Sequence, residues 1–330
     1  MRYLAHGLNR GAALVPATAL RTLLMALGLL AALVMLVLAA LSADVRSAGA
    51  LDVSILAAGD IASGSNANDE ATAKVLRAHA GIPVLPLGDN AYNSGSSSEF
   101  TNYYNPTWGT EKARTLPTPG NHEYVGGTTK QYGAGYFNYF GASAHKENGG
   151  SYSFDYGNWH IIALNTGQCY GTLESDGSMP RCGPGDPMIN WLNSDLAAHT
   201  NQCALAYWHH PRFSSGLQHG NDFSRTTAIW NALYKYHADV VLNGHDHDYE
   251  RFAQQNPSGK LDTAQGIREF VVGTGGKSYS PFGTIKANSQ VRNAGTYGVL
   301  QLNLHAVSYD WKFLPVAGKT FTDSGITSCH

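Results

Sequence analysis

Five short apolar runs in this chain end in the same way, and that recurrence constrains the fold more than any other feature. ILAAGD closes on Asp60, VLPLGDNAY on Asp89 and Tyr92, LPTPGNHE on Asn121 and His122, LAYWHHP on His209, and VVLNGHDHDYER on His245 and His247. A short apolar run bounded by turn residues reads as a buried strand. In open α/β sheets, ligands bind beyond the carboxyl ends of the strands, so these runs would deliver their oxygen and imidazole donors to one crevice. In four of the five a Gly precedes the donor, which lets the backbone turn sharply and approach a ligand closely.

The rest of the chain supports an α/β reading. Strands are expected at Val53 to Ala58, Pro83 to Leu87, Ser151 to Tyr156, Trp159 to Asn165, Ala204 to Trp208, Val240 to Asn243, Glu269 to Gly273, Gly298 to Leu304 and Ser308 to Phe313. Gly157-Asn158 reads as a hairpin turn. Helices are expected at Asp69 to His79, at Pro187 to Ala198 with Asp186 as N-cap, and at Arg225 to His237. Early strands alternate with helices and later ones form hairpins, which predicts a mixed sheet pair flanked by helices in one domain.

Leu23 to Leu41 is a 19-residue run without a polar side chain, preceded by Arg2, Arg10 and Arg21 and no acid. Its length favours a membrane anchor, whereas Ala48-Gly49-Ala50 is a small-x-small cleavage signal, so residues 1–50 read as a signal peptide or an N-terminal anchor. Either way, the positive flank places residues 51–330 outside the cytoplasm, secreted or extracytoplasmic, with membrane contact only through residues 23–41 if they are retained. Beyond residue 50 there are 18 basic and 23 acidic residues, so no basic field exists to bind a nucleic-acid scaffold. The four cysteines suit an oxidising compartment. They allow three pairings, of which Cys169 with Cys182 and Cys203 with Cys329 is favoured; no CxxC suggests a thiolate metal site.

Carboxylates, a phenol, an amide oxygen and imidazoles form a mixed donor set able to hold one hard and one borderline metal ion. In their order and spacing these motifs resemble the calcineurin-like metallophosphoesterases, whose signature runs D-x-H or D-x-G, GD, GNH[DE], H-x-P and GHxH; here it covers Gly59 to His247. Ala62 stands where most of that superfamily has a His. The purple acid phosphatases replace that imidazole with the Tyr of GDxxY, and Gly88-Asp89-Asn90-Ala91-Tyr92 matches. Ala62 also departs from the Gly usual in that subfamily, and Ala206 from the usual Val, but neither position supplies a ligand side chain.

The resemblance implies a four-layer αββα sandwich of two mixed β-sheets flanked by helices. It implies Fe(III) at Asp60, Tyr92 and His247, a second ion of Fe(II), Zn or Mn at Asn121, His209 and His245, and Asp89 bridging both. A metal-bound hydroxide would then attack phosphorus in line. His122 and His219 match positions that contact phosphate and serve as general acid. His210 is the weaker competitor, because continued strand geometry would turn it to the other face. The expected activity is that of an exported phosphomonoesterase of the acid phosphatase type acting on a small phosphorylated substrate, in a short catalytic-only architecture. The rivals are a phosphodiesterase with the same metals and a non-catalytic surface binding protein.

Several features have plainer readings. Gly273-Thr274-Gly275-Gly276-Lys277-Ser278 would need Gly in place of Val271 to be a Walker A loop, so it reads as a turn near the site. The aromatic stretch of Tyr103, Tyr104, Trp108, Tyr132, Tyr136, Phe137, Tyr139 and Phe140 reads first as local packing and second as a wall shaping the substrate. His79, His145, His160, His199, His237 and His305 read as surface or satisfied core residues.

Overall fold

A computed structural model describes residues 52–124, 133–170, 182–199 and 203–330. The apolar leader and the small-residue signal at 48–50 lie outside the described residues, and so does Tyr132. Among the described residues no helix is long and apolar enough to cross a membrane.

The apolar runs form strands close to where their patterns place them. β1 (Val53–Ala58), β2 (Val84–Pro86), β10 (Gly298–Leu304), β11 (Ser308–Pro315) and β12 (Ser324–Ser328) make a sheet of order β12-β11-β10-β1-β2. β3 (Tyr152–Tyr156), β4 (Trp159–Ala163), β5 (Cys203–Tyr207), β6 (Val240–Asn243), β7 (Tyr249–Phe252), β8 (Arg268–Val272) and β9 (Ser289–Asn293) make a second, of order β3-β4-β5-β6-β8-β7-β9. Both are mixed: β1 and β2 are parallel in the first, and β4, β5, β6 and β8 in the second. The Gly157-Asn158 hairpin joins β3 to β4, with Gly157 at φ 61°.

Alternation along the second sheet divides the core. Ile161, Ala163, Leu205, Tyr207, Val240 and Leu242 pack with Ile55, Leu300 and Leu302 of the first sheet. The intervening Ile162, Ala204, Ala206 and Val241 pack with Met188, Leu192, Trp230 and Leu233 on two helices. Those helices are α3 (Pro187–Ala198) and α4 (Phe223–Lys235); Asp186 caps the first by accepting from Met188 N at 2.8 Å. On the far side, α1 (Asn68–Ala78) contributes Ala73 and Leu76 beside β10 and β11. The molecule therefore has two mixed sheets between helical layers. Disulfides join Cys169 to Cys182 and Cys203 to Cys329, as favoured, and the second ties the start of β5 to the residue after β12, one from each sheet.

β7, β9 and β12 were not anticipated. β7 is YERF, and its polar side chains are buried because each has partners: Arg251 Nε lies 2.6 Å from Asp323 Oδ2, and Glu250 accepts from Ser215 N at 2.7 Å. β9 and β12 are half-exposed edge strands with little apolar content. The aromatic stretch also contains α2 (Ala134–Phe140), whose Phe140 is buried against Tyr136 and Tyr104 with ring centroids 5.1 and 5.6 Å away. For those residues, local packing is the reading that holds.

Candidate metal centre

The donors converge because the parallel strands β1 and β2 of one sheet and β5 and β6 of the other end beside one another. Asp60 follows β1, Asp89 follows β2, His209 follows β5 and His245 follows β6. Asn121 is delivered by the segment that bridges in parallel at Leu87 and Thr118. Three of the donors make the sharp turn themselves: Asp60, Asp89 and His245 have φ of 61°, 49° and 75°. Left-handed backbone at a non-glycine residue costs of order 1–3 kcal/mol and persists where surrounding structure enforces it. The neighbouring glycines mainly provide room. A Cβ on Gly120 would sit 2.2 Å from Asp89 Oδ1, and one on Gly244 2.7 Å from Asp60 Oδ2.

Two groups of donors meet at Asp89. In one, Tyr92 Oη lies 2.7 Å from Asp60 Oδ1, 2.9 Å from Asp89 Oδ2 and 3.2 Å from His247 Nε2. In the other, His209 Nε2 lies 3.1 Å from Asn121 Oδ1, 3.2 Å from Asp89 Oδ2 and 3.1 Å from His245 Nδ1. Ligands bound at about 2.0–2.2 Å around one ion stand about 3.0–3.4 Å apart in octahedral or tetrahedral arrangement. The observed separations are close to that spacing.

Proton counting leads to the same place. Tyr92 has one hydroxyl proton for two carboxylate oxygens. His209 donates its Nδ1 proton to Leu87 O at 2.8 Å, which in the neutral ring leaves Nε2 a lone pair facing further acceptors. His247 is oriented similarly, with Nδ1 2.6 Å from Ser278 Oγ and Nε2 toward Tyr92. Without a cation the group must gather protons. Burial lowers the His209 imidazole, but the adjacent Asp89 carboxylate outweighs this and raises it to about 9. Burial and the Asp60 and Asp89 carboxylates push the Tyr92 phenol well above its ordinary value. A metal ion satisfies all of these groups, and the donor set fits one in each half.

His122 and His219 flank the donors from opposite sides. The His122 backbone donates to Asp89 Oδ1 at 2.8 Å, its Nδ1 lies 2.6 Å from Asn93 O, and its ring centroid is 4.5 Å from that of Tyr92. The His219 ring is 3.8 Å from that of His245. His210 does not point to the opposite face as expected. β5 ends at Tyr207, so strand alternation no longer governs, and the His210 ring lies 4.5 Å from His245 with Nδ1 2.8 Å from Thr166 Oγ1. Burial, then the neighbouring His209, depresses its pKa well below the usual imidazole range.

Three residues organise the site without having been assigned a role from the sequence. Glu123 is buried and accepts from Gly120 N, Asn90 N and Asp89 N at 2.7, 2.8 and 3.1 Å, which holds the Asp89 turn. Asp246 accepts from Ser214 Oγ, Gly220 N and His219 N at 2.5, 3.0 and 3.2 Å, which anchors the His219 loop. Ser278 orients His247 from the Gly-rich turn after β8. The signals were present in GNHE, GHDHD and GGKS, but each role depends on contacts across the fold.

The calcineurin-like phosphoesterase family model matches residues 53–249. Purple acid phosphatase 15 of Arabidopsis thaliana is 28% identical over 200 residues, which are 51% of this chain and 35% of that protein. This chain thus spans about a third of the length of that curated relative. Among solved structures, a purple acid phosphatase from yellow lupin seeds aligns with a TM-score of 0.66 at 18% identity, covering 84% of this chain and 54% of the other. The anchor of the Plasmodium inner membrane complex aligns with a TM-score of 0.62 at 12% identity, covering 84% and 89%. At those identities the two structures speak for the fold alone.

Proposed function

The chain belongs to the calcineurin-like phosphoesterase family, hydrolases that use metal pairs, and from that premise we propose that it is an exported phosphomonoesterase of the purple acid phosphatase type. The observation that carries this reading is the donor spacing, with Asp89 Oδ2 near both Tyr92 Oη and His209 Nε2 at 2.9 and 3.2 Å. On this reading Asp60, Tyr92 and His247 hold the first metal, Asn121, His209 and His245 hold the second, and Asp89 serves both. The phenol and carboxylate oxygens suit Fe(III); the imidazole-rich half suits Fe(II), Zn or Mn. When bound, the pair supplies positive charge at phosphorus and activates the attacking water.

The protein's own residues do the rest. His122 and His219 stand on either side of the donors, where they hold phosphoryl oxygens and give a proton to the leaving oxygen. Glu123 and Asp246 keep the Asp89 turn and the His219 loop in place through backbone N–H groups. Residues 1–50 act as a signal peptide or membrane anchor, and residues 51–330 form the catalytic domain. Two disulfides are compatible with secretion.

Rates of metal-loaded protein on p-nitrophenyl phosphate and bis-p-nitrophenyl phosphate test the reading. Faster monoester hydrolysis is expected, and a strong diester preference would favour a phosphodiesterase instead. The Plasmodium anchor has a similar fold; if this chain, loaded with metal, hydrolyses neither class of ester, a binding role takes the place of catalysis.

A further inference from the structure

We propose that Lys277 selects a dianionic phosphate monoester by pairing with phosphoryl charge beside the Asp60, Tyr92 and His247 group. This inference rests on the phosphomonoesterase reading and adds the residue that distinguishes monoester from diester. Lys277 lies in the Gly-rich turn after β8, and that turn is clamped to the site. Its backbone N donates to Asp60 O at 2.9 Å, its carbonyl accepts from Asn66 Nδ2 at 2.9 Å, and the next residue, Ser278, holds His247. Gly276 permits the close approach: its φ is 150°, and a Cβ there would lie 2.5 Å from Asp69 N.

The side chain is directed over the site. Lys277 Nζ lies 4.7 Å from the centre of the Tyr92 ring and donates to Asn93 Oδ1 at 3.0 Å. The main-chain oxygen of the same Asn93 lies 2.6 Å from His122 Nδ1, so Lys277 and His122 are held to one residue at the rim. Among the described residues no carboxylate lies within ion-pair distance of Lys277 Nζ, and Glu99 and Asp89 attract it only from further away. The group beneath it contributes three anionic donors at most, Asp60, Asp89 and ionised Tyr92, and two metal ions outweigh them. An extra ammonium beside a cationic centre is unfavourable until an anion arrives to share it. A phosphomonoester brings about −1.5 to −2 charge near neutral pH, whereas a diester brings one negative charge. A charge-assisted contact from Lys277 therefore favours the monoester. Across the site His210, His219 and His245 supply imidazoles, and Arg225, which lines the same pocket as His219 and His245, is paired with Asp222 at 2.6 Å.

The test compares wild type, Lys277→Met and Lys277→Arg, all as the full metal-loaded chain. Lys277→Met is expected to lower kcat/KM for p-nitrophenyl phosphate about 10- to 100-fold, chiefly through KM, and to exceed its effect on bis-p-nitrophenyl phosphate by about 10-fold. Calorimetric affinity for inorganic phosphate should fall by a similar factor, and Lys277→Arg should restore most of it. Equal losses on the two esters, or unchanged phosphate affinity, would overturn the proposal. Diester preference in the wild type would instead sink the monoesterase reading, and phosphate affinity would still decide whether Lys277 holds the anion.

Discussion

The two halves of the donor set differ in kind. Around Tyr92 stand two carboxylates and one imidazole, with Ser278 and Lys277 above them. Around His209 stand an amide oxygen and a second imidazole, His245, with the rings of His210 and His219 4.5 and 3.8 Å from that of His245. The first half is anionic and hard; the second, apart from the shared Asp89, is neutral and richer in nitrogen. The difference teaches that strand ends from two sheets can set donor groups of unlike hardness side by side, and selectivity among metals follows donor type more than raw affinity.

Asp89 is where the comparison breaks most completely, because it belongs to both halves. Asp89→Asn should reduce both metals in the purified protein and lower phosphatase kcat/KM about 100- to 1000-fold, comparable to the 3–5 kcal/mol of breaking a buried charged pair. Metal analysis and kinetics on the same preparation check this, and loss of only one metal would show that Asp89 serves one half.

Substitutions within a half should separate the two. Tyr92→Phe is expected to abolish the visible absorption of a phenolate–iron centre while the second metal is retained. His209→Ala should do the reverse, removing the second metal and leaving the colour. If both variants lose the two metals together, the halves are not independent.

Smaller effects come from the groups that aim the ligands. Ser278→Ala frees His247 Nδ1 and should weaken the first metal about 10- to 100-fold, the usual range for an outer partner of a histidine ligand. Competitive chelation read metal by metal checks this. A matching loss of the second metal would argue for general disruption.

Much of the centre was legible in the sequence because each donor directly follows a buried strand. The ends of β1, β2, β5 and β6 could be read from apolar runs, and parallel pairing brings such ends together. The disulfides were legible in part: three pairings were open, and the favoured one joins residues with Cα separations of 5.9 and 5.7 Å. What stayed hidden depended on tertiary placement. Nothing local announces that Asp60 itself adopts φ 61°, because the contact at its backbone, Asp60 N donating to Gly88 O at 3.1 Å, comes from the next strand end. His210 was misplaced because alternation was extended three residues past Tyr207, the last paired residue of β5. Glu123 looked like motif spelling, yet its carboxylate gathers backbone N–H groups from residues 89 and 90, far away in sequence. Among the plainer histidines, His160 is a satisfied core residue, with Nδ1 2.9 Å from Asp155 and Nε2 2.9 Å from Asp195.

The claim that the halves are chemically unlike is tested most directly by metal analysis of the purified full chain together with its visible spectrum. The account predicts one iron and one further metal per chain, with a visible band that Tyr92→Phe removes. A colourless protein holding two identical divalent ions would contradict it.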